Sequence, residues 1–386
     1  MTAVSADKIR NIALLAHSGA GKTSLSEAML FATKAISRLG RVDDGTTTSD
    51  YEPEEVKRRI SVNLSLLPCT WREHKLNLLD APGYADFIGE MRAAVRVCEG
   101  AVLVVDAAAG VEVGTEMAWD FIKESGLPRI IFINKMDREN ADFFRTLEAV
   151  RARLSPKAVP VQLPIGAEAS FQGVVDLVTG KAHTGADGQE ATVPADMSAA
   201  VSSYREKMVE AAVETDDELI AKYLESGEVT EAEVRRGLEQ GARKGQLVPV
   251  LAGSALKTIG VSALLEALVR YLPSPAEVAP PEGVEASPLA PLAALVFRTT
   301  ADPYVGKLSY FRVYSGAISS NSQVWNVTRS QTERVGQLYL IRGKTQEPVA
   351  QVAAGDIGAV AKLSVTATGD TLGSRERPVS LPGIAF

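Results

Sequence analysis

Residues 16–23 read Ala-His-Ser-Gly-Ala-Gly-Lys-Thr and directly follow an apolar run at residues 9–15. A strand that ends in a glycine-containing loop before Lys-Thr is typical of a loop that holds a polyphosphate, because the glycines let backbone N–H groups turn inward. Lys22 can reach the β- and γ-phosphates, and Thr23 can ligate Mg²⁺. The helix that begins here points its positive end at the same charge. The usual pattern starts with glycine, where this chain has Ala16.

A second motif, Asn-Lys-Met-Asp at residues 134–137, follows the apolar run at residues 129–133. The carboxylate of Asp137 can accept hydrogen bonds from both N1–H and the exocyclic amine of guanine. Adenine has no such pair of donors and would leave the carboxylate unpaired. We expect the Lys135 stem to lie over the base and Asn134 to tie this loop to the phosphate loop. The motif therefore predicts a guanine nucleotide.

Two weaker motifs complete the set. Asp-Ala-Pro-Gly at residues 80–83 ends a strand pattern, so that Asp80 can hold a Mg²⁺-bound water and the Gly83 N–H can reach a γ-phosphate. Gly-Ser-Ala-Leu at residues 253–256 follows the apolar run at residues 247–251, and its N–H groups can contact guanine O6. Ser-Ala is a weak signal alone, and its place after the last strand of the unit makes it credible.

The order of these motifs is that of a GTP-binding domain. With the stretches at residues 44–50, 110–116 and 134–142, the chain resembles the first two domains of bacterial elongation factor G. It is most similar to the elongation factor G-like paralogues that carry Ser-Gly-Ala-Gly-Lys-Thr and Asp-x-Pro-Gly-Tyr. The resemblance runs from about residue 9 to the last residue. It implies GTP and GDP as ligands with Mg²⁺, and a monomer whose full-length form binds the ribosome and its RNA.

Composition agrees with this class. The chain has 386 residues, of which 46% are hydrophobic and 23% charged, as expected for a soluble protein of two or three domains. No apolar run has membrane-spanning length and no signal peptide begins the chain. Two cysteines favour a reducing cytoplasm over a disulfide framework. The net charge of −7 argues against a free-standing nucleic-acid binder, although a basic patch at residues 57–59 leaves local ribosome contacts open.

Residues 1–272 alternate apolar strands with helical patterns, which predicts an α/β P-loop GTPase domain with a doubly wound, mainly parallel sheet. The interval between Asn134 and Ser254 is too long for one strand–helix repeat, so we expect an inserted α+β subdomain at about residues 165–245. The predicted helices of the main unit are residues 23–35, 87–97, 115–124, 141–154 and 261–271.

A proline-rich linker is predicted at residues 273–288 because proline cannot extend a helix. After it the pattern changes to short strands with Gly and Asn turns, which predicts an all-β barrel at residues 289–386. The predicted strands are residues 292–298, 308–314, 322–326, 333–339 and 357–362. Elongation factor G continues with three further domains, so the resemblance implies that this chain is part of a longer protein.

The resemblance also assigns the metal site and the catalytic residues. The family pattern Arg-Gly-Ile-Thr is Arg-Arg-Ile-Ser here at residues 58–61, so the predicted metal residues are Thr23, Asp80 and Ser61, and Arg59 replaces a glycine. Many translational GTPases carry histidine where this chain has Tyr84. A phenol with a pKa of about 10 is a poor proton acceptor, but it can position water.

We therefore predict Tyr84, Gly83 and Lys22 as catalytic residues, with very slow intrinsic hydrolysis and with ribosome stimulation that is weaker than for an enzyme with histidine at position 84. The predicted nucleotide-binding residues are His17, Ser18, Gly19, Ala20, Gly21, Lys22, Thr23, Ser24, Asp80, Asn134, Lys135, Asp137, Ser254, Ala255 and Leu256. Two functions stay open. A linker followed by a β-barrel favours a ribosome-dependent GTPase, and Tyr84 favours a guanine-nucleotide switch module with slow or no hydrolysis that acts outside the ribosome.

Overall fold

The structure, a computed structural model, describes residues 4–302 and 306–384. The predicted domain ends at residues 1–3 and 385–386 lie outside this range. The strands of the first unit are β1 (Ile9–Ala16), β2 (Ser65–Trp71), β3 (His74–Asp80), β4 (Gly100–Asp106), β5 (Arg129–Asn134), β6 (Ala158–Pro160), β7 (Gln162–Ile165), β8 (Gly173–Asp176), β9 (Lys181–Thr184), β10 (Gln189–Ala191) and β11 (Val248–Ala252). Its helices are α1 (Lys22–Ala32), α2 (Pro53–Arg58), α3 (Ile88–Val97), α4 (Val113–Glu124), α5 (Phe143–Arg153), α6 (Ser198–Val213), α7 (Asp217–Ser226), α8 (Glu231–Arg243) and α9 (Val261–Tyr271).

A seven-stranded sheet in the order β2-β3-β1-β4-β5-β11-β6 forms the centre of this unit. Neighbouring strands are parallel except β2 and β3, which are antiparallel. Every residue of β1 and β4 is buried, as expected for parallel strands covered by helices on both faces. Because parallel strands end at one edge of the sheet, the loops after β1, β3, β5 and β11 meet there.

The inserted α+β part consists of a four-stranded antiparallel sheet, β10-β9-β8-β7, and the helices α6 to α8. Helices α6 and α8 pack closely at Gly237, which has no side chain. A Cβ at this position would lie 2.5 Å from the Ala212 carbonyl oxygen. In the part of the chain that the structure describes, no helix is long and apolar enough to cross a membrane.

The second unit is all β. Its strands are β12 (Ala293–Asp302), β13 (Gly306–Ser315), β14 (Ala317–Ser319), β15 (Gln323–Asn326), β16 (Gln331–Arg334), β17 (Leu338–Arg342), β18 (Thr345–Val349), β19 (Gln351–Ala353), β20 (Ile357–Ala361) and β21 (Thr371–Gly373). Eight of them form an antiparallel sheet, and β14 pairs with β19. Aliphatic side chains and Phe311 fill a separate core between them. The predicted architecture, a mainly parallel α/β unit with an α+β insertion followed by a β-barrel, is confirmed.

Three predicted elements are wrong in detail. The strand predicted at residues 292–298 continues to Asp302, because β12 stays paired with β13 over its whole length. The helix predicted at residues 23–35 ends at Ala32, where the Thr33 hydroxyl caps carbonyls of the last turn and Lys34 takes a φ of 59°. The strand predicted at residues 333–339 is two strands, because β16 pairs with β15 whereas β17 pairs with β20 and β18. The other four predicted helices of the first unit agree with α3, α4, α5 and α9 to within two residues at each end.

Candidate functional site

A cavity of about 620 Å³ lies at the edge where the parallel strands end. Most of the residues predicted from the motifs line it, namely His17, Ser18, Gly19, Gly21, Lys22, Thr23, Ser24, Ser61, Gly83, Tyr84, Asn134, Lys135, Asp137, Ala255 and Leu256. Three others, Ala20, Asp80 and Ser254, are buried and do not belong to its wall. The fold therefore brings all four motif loops to one place.

The phosphate loop, residues 16–23, depends on its glycines. Gly21 has a φ of 90°, and a Cβ there would lie 2.4 Å from Nδ2 of Asn134. Lys22 follows at the first position of α1, and its Nζ lies 3.3 Å from Oδ1 of Asp80. Both side chains of this pair are buried, so the lysine charge is held at the bottom of the cavity.

Asn134 connects two of the loops. Its side-chain Nδ2 donates to the carbonyl oxygen of Ala20 at 3.0 Å, and its Oδ1 accepts from the backbone N–H of Ala255 at 3.0 Å. Asn134 is itself buried. One amide therefore fixes the phosphate loop and the loop at residues 253–256 relative to the end of β5.

Lys135 crosses the mouth of the phosphate loop. Its Nζ donates to the Gly19 carbonyl oxygen at 2.5 Å and to Oδ2 of Asp106 at 3.0 Å. Burial alone would raise the pKa of Asp106, but hydrogen bonds from Lys135 and from the N–H groups of Ala108 and Ala109 outweigh it and lower that pKa. Sequence reasoning missed Asp106, although its place at the end of an apolar run, residues 101–105, was a usable signal.

Residues 47–64, which we call the switch segment, close the other end of the cavity. The Ser61 Oγ lies 3.0 Å from Oγ1 of Thr23. The segment is held from inside by Glu55, whose Oε1 accepts from the N–H groups of Val62 and Asn63, each at 3.0 Å. Glu55 is 1% exposed, so this anchor is part of the protein interior.

Two carboxylates lie at this end of the site: Asp50 lines the cavity, and Asp80 is buried behind its wall. Oδ2 of Asp80 accepts from the Ser49 hydroxyl at 2.9 Å and from Ser26 at 3.3 Å. Oδ1 of Asp80 and Oδ2 of Asp50 are buried and accept no hydrogen bond in the described residues. Burial, and next the charge of Asp80, raise the pKa of Asp50 to about 7. Asp50 was not among the predicted site residues, although it ends the stretch at residues 44–50.

The residues predicted to act in catalysis share this cavity. Tyr84 is 41% exposed on its wall. Gly83 lies against the phosphate loop, where a Cβ would come within 2.9 Å of the Ser18 nitrogen. The His17 side chain lies 3.4 Å from Glu112, measured from Nε2 to Oε1. Sequence reasoning missed the part of the wall at residues 39–43, which has no recognisable motif.

Comparison with known proteins gives two matches to family models. Residues 7–274 match the Elongation factor Tu GTP binding domain, and residues 291–375 match Elongation factor G domain 2. The chain is also similar to a Thermus thermophilus protein of known crystal structure, with 38% sequence identity and a TM-score of 0.88. The match covers 97% of this chain and 55% of the other, so this chain spans about half the length of that protein.

Proposed function

The chain belongs to the translational GTPases of the elongation factor G type, and we propose that it binds GTP and GDP with Mg²⁺ and hydrolyses GTP in a ribosome-associated role. The observation that supports this most is that Lys22, Asn134 and Asp137 share one cavity. Lys22 meets phosphate there, and Asp137 accepts the two donors of guanine. Asn134 holds the phosphate loop and the loop at residues 253–256 in fixed relative positions, so that the phosphates and the base of one nucleotide are bound together.

The side chains at the phosphate end fit a magnesium ion. Adjacent ligands of an octahedral Mg²⁺ at 2.0–2.1 Å lie about 2.9 Å apart, close to the 3.0 Å between the hydroxyls of Thr23 and Ser61. Oδ1 of Asp80, which is ion-paired with Lys22 but accepts no hydrogen bond, and Oδ2 of Asp50 would be acceptors for metal-bound water. Bound Mg²⁺ would neutralise charge on the β- and γ-phosphates. The described residues contain no group of three or more His, Cys, Asp or Glu side chains that could hold a metal ion.

The protein promotes GTP hydrolysis mainly by holding the γ-phosphate and the attacking water in position. Lys22 and the Gly83 N–H hold the γ-phosphate, and Tyr84 hydrogen-bonds the attacking water without removing its proton, since a tyrosine hydroxyl ordinarily carries its own proton. Phosphoryl transfer depends mainly on such positioning and on charge stabilisation. We therefore expect slow intrinsic turnover. Loss of the γ-phosphate releases Ser61 and Gly83 together, which would let the switch segment rearrange.

Replacing Asp137 by asparagine tests the guanine assignment. An amide cannot accept from both guanine donors, but it can donate to the extra carbonyl of xanthine. We expect Asp137→Asn to weaken GDP binding by about 100-fold or more and to gain xanthosine diphosphate binding, as measured by calorimetry. Asp187→Asn, at an exposed position of the inserted part, is the control that keeps GDP affinity. Tight ATP binding by the unmodified chain would refute the proposal.

The ribosome role needs a separate measurement. Phosphate release from GTP by this chain is followed with and without ribosomes. Stimulation by ribosomes supports the translational role, and a faster stimulated rate in Tyr84→His would connect the slow chemistry to this residue. Binding of GTP without turnover under either condition would favour the switch module that acts outside the ribosome.

A further inference from the structure

Arg59 lies on the wall of the same cavity, in the switch segment. Its φ is 57°, in the left-handed region where glycine is favoured and where another residue costs about 1 kcal/mol or more. The resemblance described above implies glycine at this position. The chain therefore keeps a long cationic side chain at a position where the backbone favours having none.

The Arg59 side chain is exposed, and within residues 4–302 and 306–384 it makes no hydrogen bond or ion pair. Its neighbour Arg58 is different, since it pairs with Glu54 four residues earlier and does not line the cavity. Arg138 does line the cavity, but it pairs with Asp106. Packing and internal charge pairing therefore give no reason for the arginine at position 59.

Arg59 is anchored near the phosphate end of the cavity. It lies two residues before Ser61, whose hydroxyl is 3.0 Å from that of Thr23. Two residues of chain span at most about 7 Å. An arginine side chain is long enough to reach from position 59 to the hydroxyl of Ser61. Glu55 fixes the backbone just beyond Ser61. The guanidinium is thus tethered beside the place that a γ-phosphate would occupy.

We propose that Arg59 is a catalytic residue that donates hydrogen bonds to the γ-phosphate of bound GTP. The assignment rests on the proposed function. As the oxygen of water bonds to the γ-phosphorus, the bond from that phosphorus to the β–γ bridging oxygen breaks, and the proton of water passes to phosphate. The products are GDP and inorganic phosphate. Arg59 transfers no proton, since its guanidinium stays charged, and stabilises the negative charge that builds on the oxygens of the transition state.

This arrangement divides the stabilisation of the transition state between two residues. Tyr84 orients water but supplies no charge, and Arg59 supplies charge from within the chain. Both line one cavity with Lys22 and Gly83. An arginine supplied in this way is worth about 10³-fold or more in other nucleotide hydrolases.

The test measures the rate of single-turnover GTP hydrolysis in the absence of ribosomes. We expect Arg59→Gly, which suits the left-handed backbone, to slow hydrolysis by about 100-fold or more and to leave GDP affinity nearly unchanged, because GDP has no γ-phosphate. Arg59→Lys keeps the charge without the planar fork and should recover part of the rate. Lys57→Ala, an exposed cation that does not line the cavity, removes the same charge and should hydrolyse GTP at the unmodified rate.

An unchanged rate in Arg59→Gly, with GTP binding intact, would overturn the assignment and leave the proposed function standing. An equal loss in Lys57→Ala would also overturn it, because it would show a general charge effect. Arg41 is a second exposed arginine on the cavity wall, and slow hydrolysis in Arg41→Ala but not in Arg59→Gly would move the role away from Arg59. Absence of GTP binding in the unmodified chain would instead refute the proposed function.

Discussion

The burial of Asp50 makes the stability of the folded protein depend on pH. Its pKa is about 7, above its ordinary value of 3.8, because burial and then Asp80 disfavour the charged form. The folded protein therefore holds a proton that the unfolded chain has lost, and from about pH 4 to pH 7 stability falls as pH rises. Above that window the penalty is complete. We expect Asp50→Asn to remove this slope and to stabilise the nucleotide-free protein at about pH 8, by up to roughly 1.4 kcal/mol per pKa unit.

Urea denaturation in the presence of a metal chelator measures this effect, because bound metal would otherwise offset the carboxylate charge. Asp44→Asn is the matched control, since Asp44 is exposed and should leave the slope unchanged. The same pH slope in Asp50→Asn and in the unmodified protein would contradict the expectation.

The switch segment is the element on which the phosphate end depends. Glu55 Oε1 accepts two backbone N–H groups beyond Ser61, and its Oε2 accepts the N–H of Glu52. Glu55→Ala leaves these donors without a partner, so we expect a loss of about 1–3 kcal/mol in the free energy of unfolding. Since Ser61 then loses its position, GTP affinity should fall more than GDP affinity.

Glu54→Ala is the control for Glu55→Ala, because it removes a neighbouring carboxylate from the same helix. Glu54 is about half exposed and pairs with Arg58, so its removal should change stability by less than about 1 kcal/mol. Nucleotide titrations with labelled GTP and GDP compare the two variants. Equal losses for both nucleotides in Glu55→Ala would show that the segment supports folding and not the reading of the γ-phosphate.

A buried ion pair joins the first unit to the barrel, in addition to apolar side chains of both units that share one core. Arg312 lies 2.6 Å from Glu99, with side-chain exposures of 2% and 8%. Removing one partner leaves an unpaired buried charge, so Glu99→Leu and Arg312→Met should each destabilise by about 3–5 kcal/mol. The double variant Glu99→Leu with Arg312→Met should lie closer to the unmodified protein. A double-mutant cycle by chemical denaturation checks this, and additive losses would contradict it.

The barrel also reaches the switch segment. Arg298 lies 3.3 Å from Glu90, and Oε2 of Glu90 accepts the N–H of Leu64. Gly343 lies in the turn between β17 and β18, where a Cβ would come within 2.1 Å of the Thr48 carbonyl oxygen. The segment that carries Ser61 is therefore packed between the cavity and the second unit.

Much of the fold was predictable because its signals are local. Apolar runs before glycine, asparagine or aspartate mark the ends of β1, β3 and β5, and the change to short strands after the proline-rich stretch marks the barrel. The split of residues 333–339 into β16 and β17 was not predictable, because it depends on which distant strands they pair with. Asp106 and Asp50 were missed since neither belongs to a motif that names its role.

The sequence by itself determined the class of ligand. A lysine after a glycine-containing loop indicates phosphate binding, the aspartate of Asn-Lys-Met-Asp indicates guanine binding, and each of these motifs spans only a few residues. Only the tertiary structure decided the composition of the cavity. Thr23 and Ser61 are 38 residues apart and meet at 3.0 Å, and Arg59 lines the same cavity through a left-handed backbone. The physical reason is that hydrogen-bonding periodicity is local, whereas the meeting of loops depends on strand order and packing across the whole sheet.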